Sequence, residues 1–260
     1  MTAHTTRGDG GLAPKPGAAS RWKVMSTQTA FEVNSALRNG EQLLLTIVIP
    51  VVVLFAMSRV PSSFVGYSPV IDAITPGVFA LAIISTAFTG LAIATGFERR
   101  YGVLRFLGST PLGREGFLAA KTISVLVIEL IQFVWLGIAA AMLGWDPQGS
   151  WGYAVIVILI GTATFASLGL LLAGTLRAEG TLAIANLIYL GLLALGGIVI
   201  PSDRFPQGIS HVISVLPSSA LADGLRASLI HGNFPASDVA ILLGWFALGM
   251  LGVRRWFRWS

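Results

Sequence analysis

The feature that most constrains this chain is a series of apolar segments, each about as long as a lipid bilayer is thick. An α-helix rises about 1.5 Å per residue, so roughly 20 apolar residues cross the hydrocarbon core. Charged residues make up 11% of the chain and hydrophobic residues 54%, and a soluble domain has about twice that charged share. The sequence therefore predicts an all-α integral membrane protein with six transmembrane helices. Their expected positions are residues 43–60, 76–97, 122–143, 151–176, 181–200 and 237–253.

The distribution of the 17 basic residues predicts how these helices are oriented. Cytoplasmic loops of membrane proteins carry an excess of Lys and Arg, and six spans place both termini on one side. One side would hold Arg7, Lys15, Arg21, Lys23, Arg38, Arg99, Arg100, Arg105, Arg114, Lys121, Arg177, Arg254, Arg255 and Arg258, and the other only Arg59, Arg204 and Arg226. We therefore expect a multi-pass protein of the cell (plasma) membrane with both termini in the cytoplasm.

Three further segments have compositions unlike the spans. Residues 1–20, rich in Gly, Ala, Pro and Thr, are expected to form a disordered cytoplasmic tail. Residues 21–40 mix polar and apolar side chains, which predicts an interfacial amphipathic helix ahead of one six-span domain at 41–260. Residues 201–236 are too apolar for a solvated loop yet contain several Pro and Gly, which favours an outer cap of short re-entrant helices.

Several kinds of chemistry have no support in the sequence. The chain contains no Cys, which excludes disulfides and thiolate sites. It has neither a Gly-x-x-x-x-Gly-Lys-Ser/Thr phosphate loop nor a Gly-x-Ser-x-Gly nucleophile motif. His4, His211 and His231 lie far apart and lack the His/Glu spacing of a membrane metalloprotease. We predict that the chain is not an enzyme and has no catalytic, metal-binding or cofactor-binding residues.

A charged segment follows the second predicted span. It reads Glu98-Arg99-Arg100-Tyr101-Gly102-Val103-Leu104, and Thr110-Pro111-Leu112-Gly113-Arg114 comes shortly after it. Apolar residues at helical spacing, closed by a glycine and then a proline, predict a short amphipathic helix over residues 98–107. In these motifs the sequence resembles the ATP-binding-cassette type-2 permeases, the membrane subunits of drug, lipid and polysaccharide exporters.

The resemblance extends, in the expected order, to motifs in residues 37–41, 117–121, 200–206 and 216–226. It implies that the 98–107 helix is a coupling helix that docks on a separate ATPase, with arginines pairing with acidic groups and Leu104 as apolar anchor. The residues assigned to this contact are Glu98, Arg99, Arg100, Tyr101, Gly102, Leu104, Arg105 and Leu107. For the individual arginines, a solvated basic loop is the open alternative.

Three polar residues fall within predicted spans. Glu129 lies in the third span, where a charge costs several kcal/mol unless it is protonated, paired or turned inward. Gln132 follows one helical turn later, and Asn186 lies in the fifth span. These residues are candidates for a translocation path or for gating, and hydrogen bonding between helices is the alternative for each.

The resemblance implies a permease subunit of an exporter that moves a hydrophobic or amphiphilic substrate, drug or lipid-like, outward. ATP and Mg²⁺ would be bound by cytosolic ATPase partners. A second permease subunit, identical or related, would complete the translocation path. Membrane lipid would surround the two permease subunits. A lipid-linked glycan is the alternative substrate, and a non-transporting membrane scaffold is the alternative function. A membrane enzyme or a secondary transporter has less support, because internal repeats and several midplane polar residues are missing. Scattered basic residues also argue against nucleic acid as a partner.

Overall fold

The computed structural model describes residues 20–40, 44–104, 113–198, 201–202 and 206–257, and the regular elements in this part of the chain are all helices. Their bounds are α1 (Arg21–Arg38), α2 (a π-helical turn Leu44–Val48 followed by Ile49–Met57), α3 (Ser62–Val65), α4 (Val70–Arg100), α5 (Gly113–Met142), α6 (Trp151–Thr175), α7 (Ala178–Leu195), α8 (Gln207–Ser214), α9 (Pro217–Leu229) and α10 (Ala236–Trp256). Within α4, a π-helical segment, Ile84–Gly90, separates two α-helical parts, Val70–Ile83 and Leu91–Arg100. The all-helical fold class is confirmed for the described residues.

Four helices are long and apolar enough to cross a bilayer: α4, α5, α6 and α10. The first and fifth predicted spans correspond to shorter apolar helices, Thr46–Met57 and Ala178–Ala194. The π-helical turn opens α2, and a glycine with φ of +71°, Gly197, follows the end of α7. The multi-pass membrane architecture is therefore shown, while the full six-span path remains a prediction.

Helix α4 is the centre of the bundle. Every residue from 73 to 89 is buried, and α2, α5, α6, α7 and α9 all pack against α4. Helix α5, by contrast, buries only one face and exposes large apolar side chains such as Leu130, Val134 and Ile138 on the other. In water such an exposed apolar face would favour aggregation, but in a membrane it contacts lipid tails.

Small residues allow α6 to pack closely against its neighbours. A Cβ added to Gly169 would lie 2.8 Å from the Phe88 carbonyl oxygen of α4, and one added to Gly252 would lie 2.8 Å from the Leu171 side chain. Gly249 packs in the same way against Ser167. The sequence pattern of glycine and serine in the fourth span is explained by this helix–helix contact.

The helix ends form two groups at opposite ends of the bundle. One group, here called the α1 end, joins α1 to the tip of α4, the start of α5 and the turn between α6 and α7. The other, here called the α9 end, joins α9 to the start of α4, the end of α7 and the connection before α6. Consecutive long helices therefore alternate in direction, as a chain that crosses a membrane repeatedly requires.

The predicted segments outside the long spans also form helices. The predicted helix at residues 21–40 corresponds to α1, whose start is capped by the Ser20 hydroxyl accepting from the Lys23 amide at 3.3 Å. Residues 201–236 contain α8 and α9. Their positions relative to a membrane surface remain predictions, and residues 1–19 of the expected tail lie outside the described residues.

Candidate functional site

The predicted coupling segment begins as the last turn of α4. The Tyr101 amide donates to the Phe97 carbonyl at 2.9 Å, and the Gly102 amide donates to the Arg99 carbonyl at 3.1 Å. Gly102 has a φ of +74°, a conformation that glycine adopts without strain, and the helix ends there. The prediction of one separate helix from residue 98 is therefore wrong at its beginning. Val103 and Leu104 start a new helical turn, and Arg105 and Leu107 lie outside the described residues.

Glu98 faces the interior of the α1 end. Its Oε1 lies 2.7 Å from Lys121 Nζ of α5, and the same ammonium lies 3.0 Å from Glu32 Oε2 of α1. Gln28 donates to the other Glu32 oxygen at 2.9 Å. The Lys121 side chain is only 4% exposed, so these ion pairs lie in a region of low dielectric constant. We call these four residues the Lys121 cluster, which joins α1, α4 and α5.

Arg99 and Arg100 tie the tip of α4 to the turn between α6 and α7. Arg99 donates from Nη2 to the carbonyl of Leu176, the residue that caps the C-terminus of α6. Arg100 pairs with Glu179 in the first turn of α7, and both side chains are at least half-exposed. Both arginines thus have acceptors within their own chain, whereas the sequence predicted pairing with a partner protein.

The exposed residues of this segment agree only in part with the predicted contact set, which includes Tyr101 and Leu104. Leu104 is 2% exposed, whereas the resemblance implied an exposed apolar anchor at this position. On either side of Gly102, Tyr101 is 71% exposed and Val103 is 37% exposed. The Tyr101 ring stacks on Phe97 with centroids 6.2 Å apart, and the Arg100 guanidinium lies 5.9 Å from its centroid. Among the described residues at this tip, Tyr101 and Val103 therefore form the exposed apolar surface.

Glu129 of α5 is buried against α6. Its Oε2 accepts a hydrogen bond from Thr162 Oγ1 at 2.7 Å, and the residue is 1% exposed. The other oxygen, Oε1, has no hydrogen bond among the described residues. An isolated ionised carboxylate at such a position is very costly, so this side chain must be protonated or gain a further partner during function.

Gln132 links two π-helical segments. Its Oε1 accepts from Thr86 Oγ1 of α4 at 2.9 Å, and its Nε2 donates to the Thr46 carbonyl in the first turn of α2. Both partners lie in π-helical stretches, Ile84–Gly90 and Leu44–Val48. Gln132 therefore shares the buried face of α5 with Glu129 and connects three helices. Asn186 is half-buried on α7, and within the described residues no hydrogen bond joins it to this pair.

Arg226 is an interaction centre that the sequence analysis did not assign to a site. The side chain is 3% exposed and donates to the carbonyls of Ala73 and Gly197 at 3.1 and 3.0 Å, and to that of Ile198. Its Nη1 also pairs with Asp223 Oδ1 at 2.7 Å. The spacing of Asp223 and Arg226 predicts this pair. The three carbonyl acceptors cannot be predicted from the sequence, because every residue has a backbone carbonyl. Arg226 holds α9 against the start of α4 and the end of α7.

In the described part of the chain, no group of three or more His, Asp or Glu side chains is arranged to hold a metal ion. Three features remain. The tip of α4 exposes an aromatic side chain. Behind it, the Lys121 cluster and the contacts of Arg99 and Arg100 connect the tip to other helices, and polar residues lie within the bundle. Together they suit the transmission of movement between helices.

Comparison with known proteins agrees with this arrangement. Residues 25–230 match the family described as ABC-2 type transporter. Among curated proteins, the chain is 25% identical over 238 residues to "Putative transport permease YvfS" of Bacillus subtilis, covering 88% of this chain and 94% of that protein. It is 29% identical over 180 residues to the ycf38 permease, similarly named, of Porphyra purpurea, covering 65% and 61%. Nodulation protein J of Rhizobium leguminosarum bv. viciae is 29% identical over 110 residues, covering 42% of each chain.

Proposed function

The chain belongs to the ABC-2 type transporter family, and from that premise we propose that it is the permease subunit of an ATP-driven exporter. Membership gives a multi-pass membrane permease whose work is transport rather than catalysis. The proposed cargo is a hydrophobic or amphiphilic molecule, drug or lipid-like, moved outward. The apolar spans and the sparse polar groups within them support this class of cargo.

The tip of α4 is the observation that carries the proposal. It presents Tyr101 and Val103 outward, while Glu98, Arg99 and Arg100 behind them contact separate neighbours. An exposed aromatic side chain backed by fixed helices is typical of a protein-docking surface. The proposed occupant is a cytosolic ATP-binding-cassette ATPase, which would bind ATP and Mg²⁺.

A push on this tip would act on several helices at once. Through the Lys121 cluster it would move α1 and α5, and through Leu176 and Glu179 it would move the turn between α6 and α7. Helix α4 has 31 residues, so it extends over about 46 Å. Its far end contacts Arg226 through the Ala73 carbonyl, which supports a link between the tip and the α9 end.

The proposed assembly contains two permease subunits and two ATPases in the cell membrane, with the α1 end and both termini in the cytoplasm. The second permease would be another copy or a related chain, and the path would run at their interface. Basic residues concentrated at the α1 end, including Lys23, Arg99, Arg100 and Arg177, support this orientation.

The test is purification of the chain from its native membrane in mild detergent, followed by mass spectrometry of the proteins that remain bound. We expect a stoichiometric ATP-binding-cassette ATPase with the wild-type chain, and a Tyr101→Ala variant should insert normally but lose at least ten-fold of that ATPase. Phe234→Ala removes an aromatic ring that is 47% exposed at the α9 end and serves as the control. An ATPase-free wild-type preparation, or full retention by Tyr101→Ala, would contradict the proposed docking.

A further inference from the structure

An apolar groove of about 530 Å³ runs between α1 and the beginning of α5. It lies outside the Lys121 cluster and away from Glu129 and Gln132. Its lining residues are Trp22, Met25, Ser26, Thr29, Ala30, Val33, Asn34, Leu37, Ile123 and Val127. The volume falls in the range of small-molecule sites.

The polar atoms of two lining residues are already used. The Ser26 hydroxyl donates to the Lys23 carbonyl at 3.0 Å, and the Thr29 hydroxyl donates to the Ala120 carbonyl at 3.5 Å. Because both hydroxyl groups are bonded to backbone carbonyls, the side chains present mainly their carbon atoms to the groove. The groove therefore offers an almost wholly apolar surface along the length of α1.

Among the described residues of α1, the exposed charges that neighbour the groove lining in sequence have one sign. Glu32 is the only acidic residue in α1, and its carboxylate is engaged by Lys121 and Gln28. Lys23 and Arg38, near the two ends of α1, are exposed and basic. An apolar groove with a positively charged rim is complementary to an amphiphile that has a hydrocarbon chain and an anionic headgroup.

The groove is continuous with the apolar flank of α5. Ile123 and Val127 lie two and six residues beyond Lys121, within the apolar stretch Gly116–Met142, and the exposed side chains of Leu130 and Val134 continue the same face. A hydrocarbon chain can therefore enter sideways from the bilayer without crossing a polar barrier. Trp22 stands at one end of the groove, 72% exposed, and tryptophan favours the headgroup level of a membrane.

We propose that this groove is a binding site for an anionic phospholipid, with an acyl chain against Ala30, Val33 and Val127 and its phosphate beside Lys23 and Trp22. The lipid is a resident of the site and not the transported cargo. By filling the space beneath α1, it would fix the distance between α1 and α5 on which the Lys121 cluster depends.

The experiment measures quenching of Trp22 by phospholipids that carry bromine on their acyl chains. The full chain is reconstituted in nanodiscs of phosphatidylcholine, and brominated phosphatidylglycerol or brominated phosphatidylcholine is added in increasing mole fraction. The chain contains 7 Trp, so the Trp22 signal is the difference between the wild-type chain and Trp22→Phe. We expect half-maximal quenching at a mole fraction about five-fold lower for phosphatidylglycerol, as one nearby Lys predicts.

Two pairs of variants separate a specific site from general lipid contact. Lys23→Gln should remove the preference for phosphatidylglycerol, whereas Arg255→Gln, on an exposed residue near the end of α10, should not. Ala30→Phe should fill the groove and reduce quenching by both lipids, whereas Thr27→Phe, on exposed α1 surface outside the groove, should not.

Equal half-maximal fractions for the two lipids would overturn the proposal, because they would show only the lipid that surrounds any membrane protein. If neither lipid quenches Trp22, the proposal is also overturned. The groove would then be covered by protein, such as a second copy of the chain or residues 1–19. Neither readout involves an ATPase, so failure here is distinguishable from failure of the proposed docking.

Discussion

Three consecutive residues at the tip of α4 contact three different parts of the molecule. Glu98 reaches Lys121, Arg99 reaches the Leu176 carbonyl and Arg100 reaches Glu179. Successive residues on a helix point about 100° apart, so a helix end that lies between several neighbours can contact each of them. The sequence singled out this segment as a surface patch, because partners such as Leu176, 77 positions after Arg99, cannot be inferred from local spacing.

We expect Lys121→Gln to destabilise the chain. It would leave Glu32 and Glu98 facing each other without the cation, and breaking a mostly buried ion pair costs about 2–4 kcal/mol. The measurement is thermal unfolding in detergent, and Arg255→Gln, on an exposed arginine near the end of α10, is the control. Adding Glu98→Gln to Lys121→Gln should recover part of the loss. An unchanged melting temperature for Lys121→Gln would mean that the cluster does not hold these three helices together.

Arg226 should not tolerate even a conservative substitution. A lysine cannot reproduce the planar guanidinium that serves three backbone carbonyls and Asp223 together. We expect Arg226→Lys to lower the local stability of α9 by about 2 kcal/mol, since buried carbonyls would lose their donors. Hydrogen–deuterium exchange of the α9 amides measures this effect, and Arg59→Lys, on an exposed arginine, provides the comparison. Equal exchange in both variants would show that the α9 end is held by apolar packing instead.

At the scale of helices, apolar length predicts the long spans well. The predicted span 151–176 matches α6 (Trp151–Thr175), and 237–253 matches α10 (Ala236–Trp256) within a few residues. The prediction began the second span at Pro76, whereas α4 begins at Val70 and includes that proline. Pro76 lies inside the helix and removes one backbone hydrogen bond, and a membrane helix packed among neighbours tolerates such a proline. The π-helical segments were not predicted, because hydropathy does not distinguish helical types.

The link between the π-helical segments can be measured by a double-mutant cycle. Gln132→Leu should destabilise the bundle, because the Thr86 hydroxyl and the Thr46 carbonyl lose their partner. Combined with Thr86→Val, it should show a coupling free energy of about 0.6–1.7 kcal/mol, the range of interhelical hydrogen bonds in membranes. Additive effects in detergent unfolding would contradict a direct bond between α5 and α4.

At the scale of the whole molecule, α4 connects the two ends. Glu98 near its C-terminus contacts the α1 end, while the Ala73 carbonyl near its N-terminus contacts Arg226. The buried stretch 73–89 between them is packed on all sides, and close-packed helices shift between discrete arrangements more readily than they deform. Hydropathy and the bias in Lys and Arg predict the membrane class from the sequence. They do not predict this connection, because several of its acceptors are backbone carbonyls that every residue possesses.

The orientation of the molecule is tested by labelling single cysteines, which is straightforward because the chain has none. Thr27→Cys lies on exposed surface of α1, and Asn233→Cys lies on exposed surface at the α9 end. The concentration of basic residues at the α1 end predicts that this end faces the cytoplasm. A membrane-impermeant maleimide added to intact cells should therefore modify Asn233→Cys, and should modify Thr27→Cys only after permeabilisation. The reverse pattern would place the exposed Tyr101 outside the cell, where no cytosolic ATPase could reach it, and would contradict both the orientation and the proposed docking.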